Sequence, residues 1–233
     1  MTADPHPPRH AREHDAAFRI LIVCTGNICR SPLAVQLLRA RLAPAFPEHD
    51  TSVVEVTSAG TVAIDGHQME PAAIREAARL GAAGAREHRA RRLLPEQIER
   101  ADLVIAMARE HRDAVVGPIP RARRRTFTLI ELTRTLESVA AGNGPVRPGP
   151  VGDGSLTEFL LSAVEAAEVS RIQPLHKGHG LDIEDPYRRK ASVHRRSADA
   201  VAEHVDRLLA ALGSLAAAEP VAVAAGEAGS VPA

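Results

Sequence analysis

The stretch that most constrains the fold is Phe18–Val23 (FRILIV), an apolar run interrupted only by Arg19. It is followed at once by Cys24–Pro32 (CTGNICRSP), a turn-like segment of small and polar residues. A strand this apolar suits burial on both faces, which is the environment inside a parallel sheet. Leu33, Leu37, Leu38 and Leu42 then recur at helical spacing, and Pro32 is tolerated in a first helical turn. The same alternation continues along the chain. Val53–Val56 reads as a second strand, ended by Thr57–Gly60, and Pro71–Leu80 as a helix. Pro95–Arg100 reads as a short helix, Asp102–Met107 as a third buried strand and Arg109–Val116 as a helix. Arg125–Leu129 is a fourth strand candidate and Ile130–Ala140 returns to helix. Strands alternating with helices predict an α/β fold of three layers, a four-stranded parallel doubly wound sheet flanked by helices.

The remaining segments set the domain limits. Residues 1–16 are expected to be a disordered leader and 218–233, rich in Ala, Gly and Pro, a disordered tail. The domain then spans 17–217. Residues 142–154 (GNGPVRPGPVGDG) read as a loop, followed by a helix from about Ser155 to Ser170 with Ser155 and Glu158 placed for a capping box. Residues 171–184, which include Lys177, read as irregular. Val201, Val205, Leu208, Leu209 and Leu212 mark a final amphipathic helix.

Composition excludes several function classes. Lysine plus arginine and aspartate plus glutamate both number 29 in 233 residues, so net charge offers no case for nucleic-acid binding. Aromatic residues make up only 2%, which also disfavours base stacking. No apolar run approaches the ~20 residues of a membrane span, and the first residues lack the apolar core of a secretory signal, so a cytoplasmic protein without membrane contact is expected. Cys24 and Cys29 cannot form a disulfide framework, and no Cys/His spacing reads as a metal site; neither metal nor cofactor is expected.

Chemistry is concentrated in Cys24, Thr25, Gly26, Asn27, Ile28, Cys29, Arg30 and Ser31. This segment joins a buried strand to a helix N-terminus, where successive backbone N–H groups converge on an anion. Gly26 and Asn27 tolerate the left-handed backbone that such a cradle needs. Arg30 adds a planar fork that pairs with two phosphate oxygens. The same field favours a thiolate, so a cysteine at its edge becomes a nucleophile and points to a phosphocysteine intermediate.

Val23–Pro32 (VCTGNICRSP) closely resembles the signature of the low-molecular-weight protein tyrosine phosphatases. Thr57–Thr61, Glu70-Pro71, His88–Leu93, the DLVIAM strand and Asp185-Pro186-Tyr187 also resemble segments of that family, so the likeness covers about residues 18–135 and 181–212. The resemblance implies a four-stranded parallel sheet and a phosphatase acting on phosphotyrosine proteins or other phosphomonoesters. It implies Cys24 as nucleophile, Arg30 as phosphoryl clamp, and Thr25, Gly26, Asn27, Ile28, Cys29 and Ser31 as the binding loop. Ser31 would hydrogen-bond the thiolate, and Asn27 would brace the loop through Ser58. Asp185, with Glu184 as a nearby rival, would be the general acid, Tyr187 a wall against the substrate, and Cys29 a redox partner of Cys24.

The sequence departs from the family pattern at four places. Arg188 and Arg189 stand where a second aromatic and a glycine are usual. Val62-Ala63-Ile64 lacks an aromatic often found on the opposite wall. Ala108 replaces an aspartate that helps organise the loops. An insertion at about 137–180, carrying the extra helix, enters before the acid loop and could cover the site's mouth or form a docking surface. The runs Arg121–Arg125 and Arg86–Arg92 read as solvated basic faces, with substrate steering as the alternative. His88 reads as a hydrogen-bonded loop or core residue. A small-thiol-dependent arsenate reductase and a non-catalytic phosphate-binding module stay open as other readings.

Overall fold

The computed structural model describes residues 17–149, 151, 155–171 and 180–217. The expected leader and tail, Lys177 and parts of the two irregular segments lie outside the described residues. Four strands, β1 (Phe18–Cys24), β2 (Val54–Gly60), β3 (Leu103–Ala106) and β4 (Thr126–Thr128), form one sheet of order β2-β1-β3-β4. All three pairings are parallel. The helices are α1 (Arg30–Ala45), α2 (Pro71–Arg79), α3 (Pro95–Arg100), α4 (Arg109–Val116), α5 (Leu129–Ala140), α6 (Leu156–Val169) and α7 (Ala191–Ala216).

Successive side chains of a strand point to opposite faces, and β1 uses both. Phe18, Ile20, Ile22 and Cys24 enter the larger core, with residues of α1, α5, α6 and α7. Leu21 and Val23 enter a smaller core with Ile98 of α3 and Val115 of α4. Helices thus cover both faces, giving the three layers expected. Among the described residues, no helix is long and apolar enough to cross a membrane.

Several boundaries differ from the sequence reading. β2 does not end at Val56 but runs through Thr57–Gly60, because its last residues pair with Leu21–Cys24 of β1. A 3₁₀ turn occupies Pro120–Arg125, so β4 is only three residues long. Arg125 is not on a solvated face: it is buried and donates to the Ile98 carbonyl at 3.1 Å. The last helix starts at Ala191, well before its apolar stripe. α6 has the expected Ser155–Glu158 capping box. Its Leu160, Ala163 and Val164 pack near Phe18 and Ile20, at the entry end of β1 and not at its carboxyl end.

The order β2-β1-β3-β4 sends the chain from β1 toward one edge and from β3 toward the other. Crevices at such a switch point, beyond the strands' carboxyl ends, are where ligands bind in open α/β sheets. The segments leaving β1 and β3 meet there.

Candidate active site

The loop after β1 is bent by Asn27, whose φ of 54° lies in the left-handed region. Asparagine takes that region more readily than most residues. Gly26, also expected to be left-handed, does not take a positive φ. Asn27 is fully buried and makes four bonds. Its Nδ2 donates to Ser31 Oγ at 2.9 Å and to Ser58 Oγ at 2.8 Å. Its Oδ1 accepts from the Arg91 backbone N–H at 2.9 Å, and its carbonyl accepts from His88 Nε2 at 2.7 Å. Since Ser31 Oγ accepts from Asn27, its own proton can point to Cys24 Sγ, 3.0 Å away.

Arg30 opens α1 and is only 4% exposed. Nη1 donates to the Ile183 carbonyl at 3.0 Å and Nη2 to Thr25 Oγ1 at 3.2 Å. Nη2 also lies 3.2 Å from Asp185 Oδ1, whose side chain is half exposed. Arg30 Nε is buried with no partner among the described residues. A buried guanidinium with an unused donor is costly unless an acceptor arrives, which suits an anion entering the loop.

The pocket above Cys24 has a volume of about 200 Å³ and is lined by the loop, by Val62, Ile64 and His67, and by Asp185 and Tyr187. Cys24, Thr25, Gly26, Ile28, Cys29, Arg30, Asp185 and Tyr187 therefore meet on one cavity, while Asn27, Ser31 and Ser58 form its frame from behind. No α6 residue lines it among the described residues. Arg188 has a φ of 57° and its guanidinium lies 5.2 Å from the Tyr187 ring centroid. Both cysteines are free and buried. Burial, and after it the charge at Cys24, pushes the Cys29 thiol far above its usual range, so Cys29 stays protonated.

Three contributors escaped the sequence reading. His111 of α4 is buried, with Nε2 2.8 Å from Thr25 Oγ1. Burial, then the Arg30 charge, lowers its pKa to about 4, so the ring is neutral near pH 7 and can accept the threonine's proton while Thr25 accepts from Arg30. Gly60 abuts the loop: a Cβ there would lie 2.5 Å from the Thr25 carbonyl and 2.8 Å from Asn27 N. Asp182 supports the start of α4, next to Ala108. Its carboxylate accepts the Arg109 backbone N–H at 2.8 Å at the start of α4 and also holds the Arg109 side chain. Nothing in the sequence ties residues 111 or 182 to the loop.

A thiol on the floor of an anion cradle, a buried arginine beside it and a carboxylate at the rim define the class of cysteine-based phosphatase loops. The model of the low molecular weight phosphotyrosine protein phosphatase family matches residues 19–141, and the chain belongs to that family. It is 36% identical over 157 residues to a low molecular weight protein-tyrosine-phosphatase of Streptomyces coelicolor, covering 66% of this chain and 92% of that protein. It is 40% identical over 112 residues to a protein-arginine-phosphatase of Geobacillus stearothermophilus, covering 48% of this chain and 69% of that protein. A solved arginine phosphatase from the same organism superposes with a TM-score of 0.54 at 30% identity, covering 82% of this chain and 90% of that one.

Proposed function

We propose that this phosphatase hydrolyses phosphomonoesters, phosphotyrosine foremost, through a cysteinyl-phosphate with Asp185 as general acid. One observation carries the reading: Cys24, Arg30 and Asp185 share a cavity of about 200 Å³, with Arg30 reaching Asp185 at 3.2 Å. The phosphoryl oxygens sit among the N–H groups of residues 25–30 and the Arg30 fork. The Cys24 thiolate, held by the Ser31 hydroxyl, attacks phosphorus as the P–O bond to the leaving group breaks. The Asp185 carboxyl gives its proton to the departing phenolate. Its carboxylate then takes a proton from water, whose oxygen attacks phosphorus and displaces the Cys24 thiolate, restored with inorganic phosphate as product. Arg30 and the loop's N–H groups stabilise charge on the equatorial oxygens in both steps.

The rim favours an aryl substrate. Ile28, Val62, Ile64 and Tyr187 present apolar surface, and Tyr187 is the chain's only tyrosine. A phosphoguanidinium would ask for several acceptors, and among the described residues Asp185 is the only carboxylate lining the pocket. A small-thiol arsenate reductase would leave Asp185 without a task.

The test is hydrolysis of para-nitrophenyl phosphate, then of phosphotyrosine and phosphoarginine peptides, by the reduced protein. Cys24→Ser should abolish turnover, and Asp185→Asn should lower kcat by roughly 10²–10⁴. Faster turnover of the phosphoarginine peptide would reverse the substrate preference. No hydrolysis of any of the three, with arsenate reduced in the presence of small thiols, would replace the reading.

A further inference from the structure

A second basic cavity lies behind the loop, on the far side of Asn27. Its volume is about 340 Å³, and it is lined by Arg39 of α1, Ser58 of β2, and His88, Arg89 and Arg91 of the segment between α2 and α3. All three arginines are exposed. Arg39 donates to the Val56 carbonyl, and Arg89 to the carbonyls of Arg86 and His88. Among the described residues no carboxylate pairs with any of the three, although arginines elsewhere, such as Arg41, Arg109 and Arg207, have such partners. Three like charges thus converge on one half-buried imidazole. Burial first, and then Arg91, Arg89 and Arg39, hold the His88 pKa below its usual value, against the opposing pull of its bond to Asn27.

We propose that this cavity is a second oxoanion site, which takes a tetrahedral phosphoryl or sulfate-type dianion, and that its occupancy is passed through His88 to Asn27. The chemistry follows from the lining. Guanidinium forks are the side chains best matched to such oxygens, and a dianion relieves the repulsion among three unpaired cations. A bound anion also favours the charged imidazolium. His88 already donates Nε2–H to the Asn27 carbonyl at 2.7 Å, and a charged donor makes that bond stronger. Asn27 in turn positions Ser31, so the site reaches the catalytic loop through two hydrogen bonds. The dianion could be free phosphate or a second phosphoryl group on a multiply phosphorylated protein; both present the same oxygens. Binding here does not depend on the catalytic reading; only the link from Asn27 to catalysis does.

The experiment uses the full chain, and anion binding at the catalytic loop is common to the wild type and the variant that are compared. Inorganic phosphate is titrated in while the His88 imidazole is followed by NMR, in the wild type and in an Arg39→Gln/Arg89→Gln variant. The wild type should show a saturable shift and a higher His88 titration midpoint. The variant, checked for native spectra, should bind about tenfold more weakly or worse, having lost two charged donors. No saturable shift in the wild type, or the same response in the variant, overturns the site. A phosphoserine peptide in place of phosphate identifies the source. Tighter binding than phosphate supports the site with a phosphoprotein as ligand, and equal binding supports it with the free anion. Hydrolysis of para-nitrophenyl phosphate, measured in parallel, keeps failure of this site distinct from failure of the catalytic assignment.

Discussion

The floor and the rim of the catalytic pocket are built on different terms. On the floor, Asn27 and Ser31 are fully buried and Ser58 nearly so, and their bonds interlock. At the rim, Val62 is 65% exposed, Ile64 61% and Tyr187 41%. A buried polar network is stable only when every member is satisfied, so the floor admits few alternatives. Exposed apolar side chains carry no such constraint. The floor is therefore held by the fold, whereas the rim residues can change without disturbing it.

Substitutions at the two levels should separate sharply. The largest effect is expected from Asn27→Ala, which orphans Ser31 and Ser58 and leaves alanine in a left-handed conformation. A stability loss of about 3–4 kcal/mol is expected, with a fall in kcat. Calorimetric unfolding and steady-state kinetics check it, and a variant that kept wild-type stability would show that the network is dispensable. Gly60→Ala comes next. Its Cβ would meet backbone atoms that cannot step aside, so a cost of about 1–3 kcal/mol and a lower kcat are expected from denaturant unfolding and kinetics.

A third prediction concerns acid. The folded pKa of His111 is depressed from 6.5 to about 4, so the unfolded chain takes up a proton that the native chain refuses. The stability from this residue is complete above pH 6.5 and is lost as pH falls toward 4, by up to about 3 kcal/mol. Unfolding of His111→Asn should lack that part of the acid slope; an unchanged slope would place the titration elsewhere. The smallest effect belongs to the rim. Tyr187→Ala should raise KM for aryl phosphates several-fold, about 1 kcal/mol, with kcat and thermal stability nearly unchanged. A comparable loss in kcat would move Tyr187 from the wall to the machinery.

The same division decides what could be read from the sequence. The floor is largely contiguous, so Cys24–Ser31 was legible from the strand, the turn residues and the helix that follow one another along the chain. The apolar runs at 18–23 and 103–106 likewise announced a parallel sheet. Local pattern placed Thr57–Gly60 beyond the strand because these residues are small and mostly not apolar, whereas the family resemblance matched 57–61 to a second-strand end. They are strand residues because they pair with Leu21–Cys24 of β1, which also brings Ser58 to Asn27 and Gly60 to Thr25. The start of α7, Ala191–Ala200, was missed because polar residues dominate there and its apolar stripe begins only at Val201. His111 and Asp182 lie 86 and 73 positions from the groups they bond, and no local pattern reports such a pairing.

The grip of the Ile183 carbonyl on Arg30 spans 153 positions. During synthesis the cysteine and the whole loop emerge early, while the segment that steadies the arginine is made much later. Arg30 gains this bond only once the chain has been made as far as Ile183 and that segment has docked. The loop and the segment that steadies its arginine are thus made at opposite ends of the described chain and meet only through the fold.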